Sequence, residues 1–275
     1  MKVKLSLPKL FFAVIIAGIT FPAHSQNPYT LTAGARQAGL AYTCIATDGF
    51  WSSFHNQASL GFMRKLSLGI NQDNRFGIAE LSNKTFAIIY PSGYGSLGGV
   101  YSYYGYSEYN HHTAGLSYGM KLGPNIAAGV QVDLYSTRAA TDYENTNELT
   151  FEAGLLYKPI PVLSLGLHIY NPLPNSIREY DMPTIMRLGT SYFFSQAFMT
   201  TVEFEYNNTG TNVYRAAMEY EPIENMFLRG GIMSNPLGYS FGLGYSGRVI
   251  QANLGFITHE NLGLTPSLSI VIFIR

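Results

Sequence analysis

The sequence predicts an all-β fold, a transmembrane antiparallel β-barrel of about fourteen strands with an N-terminal plug-like segment. Three observations predict it. The first is alternation. Ile126, Ala128, Val130, Val132 and Leu134 fall on one side of an extended strand, and Ala127, Gly129, Gln131, Asp133 and Tyr135 on the other, because successive strand side chains point to opposite faces. An aliphatic face opposite a small polar one suits a wall with lipid outside and a polar lumen inside. The second is composition: 47% of the 275 residues are apolar and only 12% charged, against about 25% charged in ordinary globular chains. Little of the surface is therefore meant for bulk water. The 21 Tyr, 17 Phe and 28 Gly suit aromatic belts and strands better than helices. The third observation is how the connections between strands are sorted by length.

Residues 1–25 read as a secretory signal. Lys2, Lys4 and Lys9 form a basic start, Leu10 to Phe21 an apolar run, and Ala23-His24-Ser25 a small-x-small cleavage site. The run is too short for a comfortable membrane span, and the mature chain is expected to begin at Gln26. Removing three lysines from 17 basic residues leaves 14 against 17 acidic ones, a formal charge of −3. No basic patch for nucleic acid follows from that balance. Cys44, the lone cysteine, has no intramolecular partner and reads as a small buried filler.

Beyond the signal no run of 18 or more apolar residues occurs. The spacing predicts strands near 75–81, 84–91, 96–106, 111–121, 125–137, 147–158, 162–170, 184–194, 198–207, 212–220, 226–234, 237–246, 249–258 and 265–274. Most have the length a tilted strand needs to cross a bilayer. Residues 26–74 are left as an N-terminal plug or periplasmic segment, and 75–275 as the barrel.

Every second connection is tight, such as Pro91–Gly95, Leu122–Asn125 and Ser246–Arg248. The longest, Ser136–Thr146 and Asn171–Pro183, fall on the other rim. Outer-membrane barrels are built with short periplasmic turns and longer extracellular loops. Tyr90, Tyr106, Tyr157, Tyr170, Tyr206 and Tyr220 near strand ends fit interfacial girdles.

The densest charges lie on the polar faces of neighbouring strands. Arg187, Glu203, Glu205, Arg215, Glu219 and Arg229 place opposite signs side by side, a candidate ladder of lumen ion pairs. The ladder serves either to neutralise a partly dry interior or to set selectivity and gating. No acid-base cluster at a rim suggests an enzyme, and no cofactor or metal site is read. Gly93-Tyr94-Gly95-Ser96-Leu97-Gly98 satisfies G-x-G-x-x-G, but a strand follows it instead of the helix a dinucleotide needs. His111 and His112 adjoin on a strand, so they face opposite ways and cannot readily chelate one metal.

A barrel this wide is not filled by its own side chains. The small-residue run Gly34 to Tyr42 and the following stretch to Leu60 are the obvious filler, with Trp51, Phe54 and Asn56 as candidate ligand or plug residues. A periplasmic cap or an extra strand are the alternatives. Here a resemblance enters. Gly34-Ala35-Arg36, Gly39, Ala46, Asp48 and Asn56-x-Ala58-x-Leu60 resemble the N-terminal signature of the PorV/PorQ family, itself similar to the FadL long-chain fatty-acid transporters. Leu40 and Gln57 stand where that pattern has methionine and proline. The resemblance implies the outer membrane of a Gram-negative, Bacteroidetes-type cell, with outer-membrane lipid around the barrel. It further implies either passive uptake of a hydrophobic ligand or an accessory role in type IX secretion, in which the barrel binds partner proteins.

Overall fold

Fourteen antiparallel strands follow one another round a closed barrel. The structure, a computed structural model, describes residues 32–139, 145–173, 176–177, 180–208, 210 and 212–274. The expected signal at 1–25 lies outside the described residues, as do parts of both long loops. The strands are β1 Leu66–Asn74, β2 Ser82–Pro91, β3 Ser96–Gly105, β4 Tyr109–Lys121, β5 Ile126–Ala139, β6 Thr146–Ile160, β7 Leu163–Tyr170, β8 Ile185–Ser195, β9 Phe198–Asn207, β10 Val213–Ile223, β11 Met226–Met233, β12 Gly238–Ser246, β13 Ile250–His259 and β14 Gly263–Ile274. The seam joins β1 to β14, with Leu66 opposite Ile274 and Asp73 opposite Ser267. Closure leaves the barrel itself with no unpaired edge, which a hydrocarbon surround requires.

One strand differs from expectation. Residues 75–81 form two short 3-10 turns, Arg75–Gly77 and Ala79–Leu81, and the first strand is Leu66–Asn74, inside the stretch assigned to the plug. The reason is local. Phe76 and Gly77 take positive φ (56° and 72°), which no strand accommodates, whereas Leu66, Leu68 and Ile70 alternate with Ser67, Gly69 and Asn71 and pair with β14. The barrel wall thus starts at residue 66.

Burial follows the alternation. On β5, Val130 and Leu134 are 55% and 47% exposed while Gln131 and Asp133 are 2% and 1% exposed. Leu165, Phe241, Leu243, Leu268 and Ile272 also face outward. In water such a continuous apolar surface would be an aggregation liability, and in a bilayer it is the required exterior. Tyr90, Tyr106, Tyr157, Tyr206 and Tyr220 are exposed, but Tyr170 is 1% exposed. It sits on the inward parity of β7 with Ser164, Gly166 and His168, so it faces the lumen and is not part of a girdle.

Residues 32–65 run inside this ring. A five-residue helix α1, Ala35–Gly39, starts at Ser269 of β14, whose Oγ accepts from the Ala35 N–H (3.2 Å). The chain then passes β12, where Ser240 donates to the Gly39 carbonyl (3.0 Å), and reaches β8, where Ser191 donates to the Ala46 carbonyl (2.7 Å). It passes β1 and β3 around the 3-10 turn at Trp51–Phe54 and lies against β4, β5 and β6 through the one at Gln57–Phe62 before joining β1. The wall meets it with glycine. Gly119, Gly129 and Gly154 stand directly opposite one another on β4, β5 and β6, as do Gly242 and Gly255 on β12 and β13. A Cβ at Gly129 would lie 2.7 Å from the Ala58 nitrogen, and one at Gly242 3.0 Å from the Gly39 Cα. Backbone-to-backbone approach of this kind excludes any side chain.

Candidate functional site

The filling segment divides the lumen. Towards the long-loop rim lies a cavity of about 160 Å³ whose lining includes Tyr42, Phe54 and His55 from the segment and Asp73, His168 and Tyr170 from the wall. Towards the short-turn rim lies a second, of about 190 Å³, lined among others by Arg36, Phe50, Trp51, Glu219 and Arg229. Between the two stands an aromatic cluster. Phe50 and Trp51 meet edge to face with centroids 5.0 Å apart, Phe54 lies 5.7 Å from Phe50, and Trp51 lies 6.3 Å from Phe54. Ala33, Leu60, Ala87, Ile89, Val100 and Val271 complete this apolar core. Trp51 therefore looks towards one cavity and Phe54 towards the other.

Asn56 is placed differently from Trp51 and Phe54. Its amide donates to the carbonyls of Ile45 (2.7 Å) and Leu155 (3.1 Å), and its Oδ1 caps the following turn by accepting from the Ala58 N–H (3.2 Å). Both polar atoms of that side chain are engaged, bracing the segment internally and tying it to β6 through Leu155.

The six charged residues of the expected ladder fall into two groups. Arg187 and Arg215 share Glu203 and Glu205, with Arg187 Nε 2.7 Å from Glu203 Oε1 and Arg215 Nη1 2.9 Å from Glu205 Oε2. Glu219 and Arg229 form the other pair (2.6 Å). Both groups reach into the segment. Arg36 grips Glu219 through two bonds of 2.8 Å. Glu203 accepts from the Cys44 and Ile45 backbone N–H groups (3.0 and 3.3 Å), and Arg187 donates to the Tyr42 carbonyl (2.8 Å). Arg36 was part of the N-terminal signature, yet nothing in its spacing marked it as the partner of a residue 183 positions away.

Periodicity also passed over a buried network under the long-loop cavity. Glu152 Oε2 accepts from Gln57 Nε2 (2.5 Å) and pairs with His168 Nε2 (3.1 Å). His55 bonds the Ala33 carbonyl through Nε2 (2.8 Å), and burial, with Arg187 adding to it, lowers its pKa to about 3, so the ring is neutral. Burial likewise pushes the Cys44 thiol up to about 12, as expected for an inert buried filler.

No family model and no curated relative matches the chain. Solved structures do. The chain is similar to a Pseudomonas aeruginosa FadL homologue (TM-score 0.67, 12% identity, covering 90% of this chain and 99% of that one). It is similar to the Pseudomonas putida toluene transporter TodX (0.66, 10%, 90% and 98%) and to the Ralstonia pickettii toluene transporter TbuX (0.65, 12%, 87% and 97%). The fold is that of the FadL-like barrels. At 10–12% identity the likeness is one of architecture, including the closed wall that these transporters span almost end to end.

Proposed function

We propose that this chain is an outer-membrane barrel that carries small hydrophobic molecules passively. The long-loop rim faces the outside and the short-turn rim the periplasm, after the usual build of such barrels. A ligand enters the long-loop cavity, rests beside Phe54, and leaves past Trp51 when the segment carrying both shifts. The observation that carries this reading is the aromatic cluster standing between two cavities. A dry cavity of about 150 Å³ is large enough for benzene, the scale of the long-loop cavity. Two of the architectural neighbours are toluene transporters.

The test is uptake of radiolabelled toluene by cells that depend on this barrel. Trp51→Ala and Phe54→Ala are expected to change uptake severalfold while the protein still shifts on gels between unboiled and boiled samples, the mark of a closed barrel. Uptake equal to that of cells lacking the barrel sinks the reading.

The secretion role rests on the N-terminal signature alone. Arg36 and Asn56, two of its residues, are bound to the lumen wall, so their placement answers a structural need without a partner protein. Loss of secreted cargo on deletion, with uptake unchanged, would revive that role.

A further inference from the structure

Four residues lining the long-loop cavity, Asp73, His168, Arg215 and Asn235, each carry a buried polar atom that has no hydrogen-bond partner among the described residues. A cavity meant only for hydrocarbon gains nothing from such atoms, since an unmet buried donor or acceptor is destabilising. His168 is the best defined of the four. Its Nε2 faces Glu152 Oε2 at 3.1 Å, and that oxygen also accepts from Gln57. With the carboxylate as acceptor, Nε2 holds the ring hydrogen and Nδ1 keeps a free lone pair. Around it the wall is mixed. His168 is opposite Arg187 across the β7–β8 pair, and one step along the same face Tyr170 is opposite Ile185. Tyr170, Ile185, Tyr135 and Met182 form an apolar cluster, and Phe54 of the inner segment lines the same cavity.

We infer that this cavity selects a small aromatic molecule bearing a hydroxyl group, of the phenol class, over the bare hydrocarbon of the same shape. The hydroxyl donates to His168 Nδ1, and the ring rests on the apolar side made by Phe54, Tyr170 and Ile185. A site with a polar atom placed for a hydroxyl rejects the analogue that lacks it, because that atom is then left unmet. This inference rests on the reading that hydrophobic molecules occupy the cavity, and it narrows their class.

The experiment compares 4-methylphenol with p-xylene, a pair in which hydroxyl replaces methyl, by calorimetry on the full barrel in lipid nanodiscs with empty nanodiscs subtracted. The wild type is expected to bind 4-methylphenol about tenfold more tightly, the net worth of one hydrogen bond. His168→Gln keeps a donor for Glu152 but removes the acceptor at Nδ1, and is expected to bring the two affinities together. His168→Asn restores a polar atom near Nδ1 and is expected to recover part of the preference. Gel mobility before and after boiling confirms that both variants close. Equal binding of the two ligands by the wild type, or a preference untouched by His168→Gln, overturns the inference and leaves hydrophobic transport standing. Binding of neither ligand overturns both.

Discussion

Arg36 and Glu219 are joined by two hydrogen bonds of 2.8 Å, from Nε and Nη2 on one edge of the guanidinium to the two carboxylate oxygens, across 183 residues of chain. The contact ties the filling segment to β10, and Arg229 holds the same carboxylate from β11 at 2.6 Å. Removing one partner of a buried pair typically costs about 3–5 kcal/mol. Arg36→Ala is expected to free the segment from this wall without opening the barrel. Single-channel conductance should rise from near zero to a steady open level, while heat-dependent gel mobility stays as in the wild type. Unchanged conductance means that the other anchors suffice.

The glycine rows make a sharper prediction. At Gly129 a Cβ would lie 2.7 Å from the Ala58 nitrogen, on backbone, which has no rotamer to turn away. Gly129→Val keeps the strand and improves its β-propensity, yet it should displace the Gln57–Phe62 turn. Protease sensitivity within residues 50–65 is expected to increase at least tenfold. Gly99→Ala, on the lipid side of β3, is the control: the nearest atom is a side-chain methyl of Ile88 at 3.2 Å, and little change is expected.

His55 links docking of the segment to pH. Its folded pKa is lowered to about 3, chiefly by burial, from the ordinary histidine value of 6.5. Released, the ring takes up a proton below 6.5, whereas docked it does not until about 3. Docking is therefore fully stabilised above pH 6.5 and weakens as pH falls towards 3, by at most tenfold per pH unit for this one group. Trp51, the sole tryptophan, reports the change by a red shift in emission. His55→Gln should flatten the profile by about one proton.

Cys44 offers an independent probe of the same motion. The thiol is buried, and its pKa is raised to about 12, so the reactive thiolate is almost absent at neutral pH. Maleimide labelling of the folded wild type should be slower than that of the unfolded chain by at least a hundredfold. Arg36→Ala or Gly129→Val should restore much of the rate. Equal labelling of wild type and both variants would show that the segment stays seated.

The wall was legible from alternation because one rule, lipid outside and small or polar inside, governs every strand; Leu165 outward and Gly166 inward repeat what Val130 and Gln131 state. Tyr170 was misplaced because position near a strand end outweighed parity, and parity won. The 75–81 segment looked like a strand because its apolar residues alternate, whereas the backbone turn at Phe76–Gly77 carries no periodic signal. Within the lumen, pattern told little. That Glu219 meets Arg36 and Glu203 meets the Cys44 N–H depends on how a non-repetitive segment winds through a ring. Such contacts are long-range and have no period. Trp51 and Phe54 stood out by residue type, and their assignment to opposite cavities comes only from the fold.

The seam between β1 and β14 unites the earliest and the latest strands to leave the ribosome. Until that final pairing forms there is no ring to enter, and the residues just ahead of β1 can be wrapped by the growing sheet without threading an aperture. The glycines that make room for the inner chain thereby become part of assembly as well as of the finished barrel: a bulky residue there would hold the ribbon open at the moment it has to zip shut.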